Sequence, residues 1–408
     1  MEVGSAVRPD LNGKEWPVPL NLDPRYRGSP MMRRLGRARW EGLVSEGYLT
    51  VKELAIRGSA RAIPAGECAV TSLAMGERWL YGATSGRRAH LFAYCPRPAE
   101  EVVLDLAVLD GHTDVRGALA WLPGLGLFAG TAAPGRRDYA GGEVLRVGEV
   151  GLIGSVIQEW NPVTPPVESL GVPVASEGVA CMVGDPAGGR LYGLSDATGT
   201  LFSVDAASGS IETHGLVDEL RRFSPTLLLG PDGLVYACGT AGRIVRYRPG
   251  AAAMEDTGMT LPHMAGRGQY AQVGAWARDE RTGLVYAGDV ADGLLSALDV
   301  RSGRTRTLGK PTAQPHVRAL AVAVDGRLYG IAGRRGTICH LFRCDPATGE
   351  MADLGVMTAG TERRWYGYEF DCALAGPDGR IYFGESDRIS HLFTYFPPAV
   401  APRSAPEP

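Results

Sequence analysis

The 408-residue chain is predicted to be all-β, a seven-bladed β-propeller of four-stranded antiparallel blades. Three observations predict it. First, one phrase recurs: a turn, then a short apolar run ending in an aromatic, then a polar loop and a second apolar run. The run reads Trp79-Leu80-Tyr81-Gly82, Leu191-Tyr192-Gly193, Val235-Tyr236-Ala237, Val285-Tyr286-Ala287, Leu328-Tyr329-Gly330 and Ile381-Tyr382-Phe383, with a weaker copy at Leu127-Phe128-Ala129. Second, these aromatics are 47, 64, 44, 50, 43 and 53 residues apart, and a period in the forties with several short strands per unit is the mark of a propeller. Third, 56 Gly and 28 Pro supply the turn residues that many short strands require.

The elements follow in order. Residues 1–47 lie outside the repeats, and Ser29-Pro30 before Met31–Leu43 reads as a capped helix with Pro in its first turn. Leu49–Arg57 is a spare strand ahead of the first repeat. The last repeat lacks a fourth strand, so the spare one is expected to complete it and leave no open edge. Within each blade the inner strand A is a nearly continuous small apolar run, as for strands covered on both faces. These runs are Val70–Ala74, Gly117–Leu122, Val179–Val183, Thr226–Leu229, Val273–Ala277, Ala319–Ala323 and Asp371–Ala375. Turns such as Pro231-Asp232-Gly233 lead to strand B, which carries the aromatic. Strand C is read at His90-Leu91-Phe92, Val156-Ile157-Gln158, Leu201-Phe202-Ser203, Ile244-Val245-Arg246, Leu294-Leu295-Ser296, His340-Leu341-Phe342 and His391-Leu392-Phe393. Strand D is weaker, as at Ile211–His214 and Met351–Gly355. The propeller thus spans 48–398, and 399–408 reads as a disordered tail.

Composition narrows the function classes. A net charge of −3, without a continuous basic stripe, argues against coating nucleic acid or an anionic membrane. No run approaches the ~18 apolar residues of a membrane helix. Met1-Glu2-Val3-Gly4 lacks the pattern of a signal peptide, which favours the cytoplasm; an exported form stripped of its leader stays open. Seven Cys in mostly apolar runs read as small core residues rather than a disulfide or zinc framework.

In an A-B-C-D blade the D→A and B→C connections share one face, and here they are the long, chemically rich ones. The largest B→C loop is expected in blade 2, over about Ala132–Gly154, and it holds Arg136, Arg137 and Tyr139. Arg doublets recur in five of these loops, at 87–88, 136–137, 221–222, 334–335 and 363–364. Guanidinium forks suit carboxylate and phosphate, so this face is expected to bind an anion. His112, His263 and His316 each precede an inner strand, whereas His90, His340 and His391 share one strand-C position and read as structural. Asp289, Asp292, Glu385 and Asp387 could hold Ca²⁺, although no spaced calcium loop is present.

Seven blades, phrases such as His391-Leu392-Phe393-Thr394-Tyr395-Phe396-Pro397, and an axial face with His, Tyr and Arg resemble the propeller polysaccharide lyases, the ulvan and rhamnosyl-glucuronate lyases among them. The resemblance is architectural and covers about 48–398. It implies β-elimination on a uronate-containing, anionic oligo- or polysaccharide. Such chemistry needs a base for the C5 proton, an acid for the leaving oxygen and a cation on the carboxylate. By position, His316, His263 or His112 with Tyr270 or Tyr368 would serve as base and acid. Arg222, Arg267, Arg363 and Arg364 would clamp the carboxylate, Trp365 would be a stacking platform, and Arg116, Arg136, Arg137, Arg334 and Tyr366 would also bind substrate. Two other classes compete: a hydrolase using Glu177, Glu369 and Glu385, and a propeller that binds an anionic ligand or partner without turnover.

Overall fold

The computed structural model describes residues 44–54, 63–95, 103–134, 139–148, 152–153, 161–162, 165–359, 365–387 and 390–398. Seven four-stranded antiparallel sheets are present, each running A-B-C-D from the axis outward. Their inner strands are Ala69–Met75, Leu119–Leu122, Val179–Asp185, Leu227–Leu229, Val273–Arg278, Val317–Val322 and Phe370–Ala375, and each neighbours the next around a closed ring. The expected closure is observed. Tyr48–Glu53 pairs antiparallel with His391–Phe396, from Tyr48↔Phe396 to Glu53↔His391, and becomes the outer strand of blade 7. The Met31–Leu43 helix and the tail lie outside the described residues.

The repeated phrase has a packing cause. The residue after the strand-B aromatic faces the middle of strand C, and the two side chains must share one space between sheets. Gly82 pairs with Phe92, Gly193 with Phe202 and Gly330 with Phe342. A Cβ on these glycines would come within 2.1, 2.2 and 2.4 Å of the respective Phe ring. The small residue of the motif is therefore the complement of the Phe in the strand-C motif. Blade 7 departs from this pattern. Phe383 pairs with Phe393, and the space is filled by Phe370, whose ring meets both edge-on at 6.5 and 5.4 Å.

The aromatics themselves are core: Tyr192, Tyr236, Tyr286, Tyr329, Tyr382 and Phe128 are each at most 1% exposed. In blades 4 and 7 the Asp of the turn before strand B takes the buried hydroxyl, Tyr236 Oη donating to Asp232 at 2.7 Å and Tyr382 Oη to Asp378 at 3.4 Å. The cysteines are core too. All seven are free thiols, six fully buried, and burial pushes those of Cys68, Cys181, Cys238, Cys339, Cys344 and Cys372 above their ordinary range.

Blade 2 corrects one expectation. Its strand C is Val144–Val147, paired with Leu127–Gly130, not Val156-Ile157-Gln158. Residues 156–158 lie outside the described residues. The B→C loop is accordingly short, from Thr131 to Glu143, and the extra length falls between strands C and D. There a two-residue pairing of Leu152–Ile153 with Asn161–Pro162 projects on the opposite face. Both candidate runs are apolar and of strand length; Gly141-Gly142 supplies the turn that makes the nearer one reachable. Gly142 has no room for a Cβ, which would sit 1.9 Å from the Thr131 carbonyl oxygen.

Candidate functional site at the axial mouth

The inner strands begin with a shared irregularity. In blades 1, 3, 5, 6 and 7 the A–B register slips by one residue at the same place. Such a bulge leaves one residue out of the ladder and re-aims it. This position lies three residues before the partner of the strand-B aromatic. Around the ring it reads Thr71, Gly117, Ala180, Pro225, Gly274, Arg318 and Asp371. Five blades place a small or cyclic residue there, and blades 6 and 7 place a charged pair.

Asp371 is the centre of that pair. Its carboxylate is 5% exposed and takes three guanidinium groups. Arg318 Nη2 donates to Oδ1 at 2.6 Å with Nε at 3.1 Å. Arg116 Nη1 donates to Oδ2 at 2.9 Å, and Arg335 Nη2 at 3.4 Å. Burial alone would raise the pKa of Asp371, but Arg318 and Arg116 outweigh it and hold the carboxyl below the usual range. One buried anion thus ties the start of blade 2 to blades 6 and 7.

His316 stands immediately before the same strand of blade 6. It adopts φ +63°, the left-handed region costly for most side chains, and its carbonyl accepts the Gly333 N–H at 3.1 Å. Its half-buried imidazole is held below its ordinary pKa, first by burial and then by the charges of Arg318 and Arg334. It is therefore a neutral base among cations at neutral pH. Arg334 is exposed and makes no ion pair among the described residues. Tyr366 and Tyr368, each 41% exposed, stand on the neighbouring loop, and the Tyr368 carbonyl accepts the Cys339 thiol at 3.0 Å.

Arg116 also lines a cleft of about 790 Å³ that opens between blades 2 and 3 and reaches inner-ring residues Ala180 and Pro225. Its far wall carries Asp114, Asp196 and Tyr139. Burial, then Asp196, push the Tyr139 hydroxyl up to about 12. His112 adjoins this wall, its ring edge-on to Tyr139 at 6.4 Å and its Nε2 4.0 Å from Glu143.

The remaining expected residues divide. His263, Arg267 and Tyr270 form a separate group on the loop before blade 5. Arg267 pairs with buried Asp292 and lies over the Tyr270 ring at 5.6 Å, while His263 Nδ1 donates to the Met264 carbonyl at 3.0 Å. Arg222 is exposed on the loop before blade 4. Arg136, Arg137, Arg363 and Arg364 lie outside the described residues; Trp365 is placed only as backbone, paired with Ala359. The three strand-C histidines each hold a carboxylate. His90 Nδ1 meets Asp105 at 3.0 Å, His340 Nδ1 meets Asp353 at 3.0 Å, and His391 Nδ1 meets Glu385 at 2.6 Å.

Among the described residues no group of three His, Cys, Asp or Glu could hold a metal ion. Asp289 and Asp292 instead accept backbone N–H groups from Gln272 and Met264. Two of the three carboxylates of the hydrolase reading are likewise engaged: Glu177 accepts Thr198 N and Oγ1 at 3.0 and 2.9 Å, and Glu385 binds His391.

Asp371 and Arg318 are the site residues that sequence reasoning passed over. The signal was available in the aligned inner strands, as the one column where two blades break a run of small residues.

No protein-family model matches the sequence, and no curated protein is similar enough to count as a relative. Solved structures do match. The extracellular domain assigned to a one-component system of B. thetaiotaomicron is 13% identical with a TM-score of 0.54 over 85% of this chain, which spans 40% of that protein's length. The WD40 β-propeller domain of Doa1 is 11% identical with a TM-score of 0.51, over 84% of this chain and 96% of that one. At these identities the likeness shows the fold, a seven-bladed propeller, and nothing finer.

Proposed function

We propose that the axial mouth binds a carboxylate-bearing glycan and that His316 removes the proton α to that carboxylate, opening a uronate by β-elimination. One observation carries the reading: a half-buried imidazole kept neutral between Arg318 and Arg334, beside an arginine cluster at the axis. A neutral imidazole can accept the C5 proton. The flanking guanidinium groups stabilise the charge that develops on the carboxylate. Arg334 is the free cation for first contact. Tyr368 is the exposed hydroxyl in reach of the same loops and would protonate the leaving oxygen.

Incubation of the protein with uronate-containing oligosaccharides, followed by ultraviolet absorbance of the unsaturated product, tests this. His316→Asn, which tolerates the left-handed backbone, is expected to lower the rate by about 10²–10⁴-fold. An unchanged rate would remove His316 from the chemistry.

A second reading is recognition without turnover. Asp371 favours it, because it already occupies three of the arginines of this face. It predicts saturable binding of the same oligosaccharides with no absorbance change.

A further inference from the structure

We infer that the opposite face carries a second binding site, for an uncharged sugar, in the cleft between blades 1 and 2. This cleft is independent of the axial mouth. It is formed by the A→B turns of the two blades and the end of strand C of blade 2, and it measures about 530 Å³. That is the size of a small-ligand site.

The inner strand of blade 2 carries Trp121 one residue before its end, opposite Leu127. The equivalent residues of the other blades are Met75, Gly184, Leu229, Arg278, Val322 and Ala375. Only blade 2 places an indole here. Trp121 stacks on Tyr81 at 5.4 Å with an interplanar angle of 11°, and Trp79, 6% exposed, also lines the cleft. The stack fixes the indole, which remains partly exposed to the cleft. Gly124, Gly126 and Gly148 line the cleft beside it together with Val147 and the exposed side chain of Leu125, so the floor next to the indole is low and largely apolar.

The rim gives the ligand class. Glu77 and Arg78 are exposed neighbours that make no ion pair among the described residues. Arg146, also in the lining, is neutralised by Glu168 at 3.6 Å and donates to the Ala207 carbonyl at 3.1 Å. The rim therefore sums to zero charge, with one carboxylate and one guanidinium still open. A flat aromatic wall suits the C–H face of a pyranose, and an adjacent acceptor and donor suit its hydroxyls. An anion would meet Glu77, and a cation would meet Arg78.

Calorimetric titration of the full chain with cellohexaose, maltohexaose and mannohexaose, and with hexagalacturonate as the charged comparator, tests the inference. At least one neutral hexasaccharide should bind saturably and more tightly at this cleft than the charged one. Trp121→Met, the residue blade 1 has at this position, should weaken that binding about tenfold, the scale of one stacking contact. Arg78→Ala, on an exposed turn where the fold is not at stake, should weaken it about threefold or more. His316→Asn should leave it unchanged. No saturable binding of any neutral hexasaccharide would overturn the proposal, as would binding that neither Trp121→Met nor Arg78→Ala alters. Binding lost only in His316→Asn would overturn it too and place the sugar at the axis.

Discussion

His90 shows how a single side chain can carry pH dependence in this molecule. It is 1% exposed and lies between two carboxylates, with Nε2 2.8 Å from Glu67 and Nδ1 3.0 Å from Asp105. Burial alone would lower its pKa, but the bonds to Asp105 and Glu67 outweigh this and raise it. Glu67 in turn is held below its ordinary value: burial opposes this, but His90 and Arg88 outweigh it. A base whose folded pKa exceeds its unfolded ~6.5 stabilises the fold fully below that pH and loses the contribution as pH rises through the folded value. His90→Gln is therefore expected to cost on the order of 1 kcal/mol more at pH 6 than at pH 9, read from urea midpoints. Equal costs at both pH values would mean that His90 is neutral in the native state. His316 has the opposite sign. Its depressed pKa predicts that the acid limb of any axial-site activity lies below the ordinary histidine value of about 6.5.

Single strands show what could be read in advance and what could not. The small residue after the strand-B aromatic and the Phe of strand C were both visible in the sequence, but their mutual contact was not, because cross-strand register is a tertiary fact. Gly82→Ala is expected to destabilise the protein by about 1–3 kcal/mol in a urea melt, since the new Cβ would press on the Phe92 ring. A neutral effect would mean that the ring moves freely. Blade 2 marks the limit of legibility. Val144–Val147 and 156–158 are both short apolar runs, and period alone does not choose between them. The pairing of Val144 with Gly130 does. The site was legible to a similar depth. His316, Arg334 and Arg116 were found by where their loops fall. Asp371, the anion that organises Arg116, Arg318 and Arg335, was hidden inside an apolar strand, and its role depends on three blades meeting at the axis.

At the scale of the whole molecule, stability rests on closure of the ring. Leu49, in the closing strand, is 0% exposed and packs into a core shared with Tyr329, Phe383 and Tyr395. Leu49→Ala is expected to cost about 2–5 kcal/mol. Removing 44–54 should expose the edge of His391–Phe396 and give concentration-dependent association by light scattering. A chain that stayed monomeric after that deletion would show that blade 7 does not need its borrowed strand. No helix among the described residues is long and apolar enough to cross a membrane.

The borrowed strand also sets a clock on synthesis. Tyr48 is partnered by Phe396, 348 positions later in the chain. At a ribosomal rate of roughly 5–20 residues per second, this strand waits about 20–70 seconds for its neighbour to exist. Six blades can form in that interval, each complete within itself. The seventh joins residues 48–53 to residues 391–396. Until it does, strand edges that the finished ring pairs stand unsatisfied, which makes a stall late in translation more hazardous for this protein than one early.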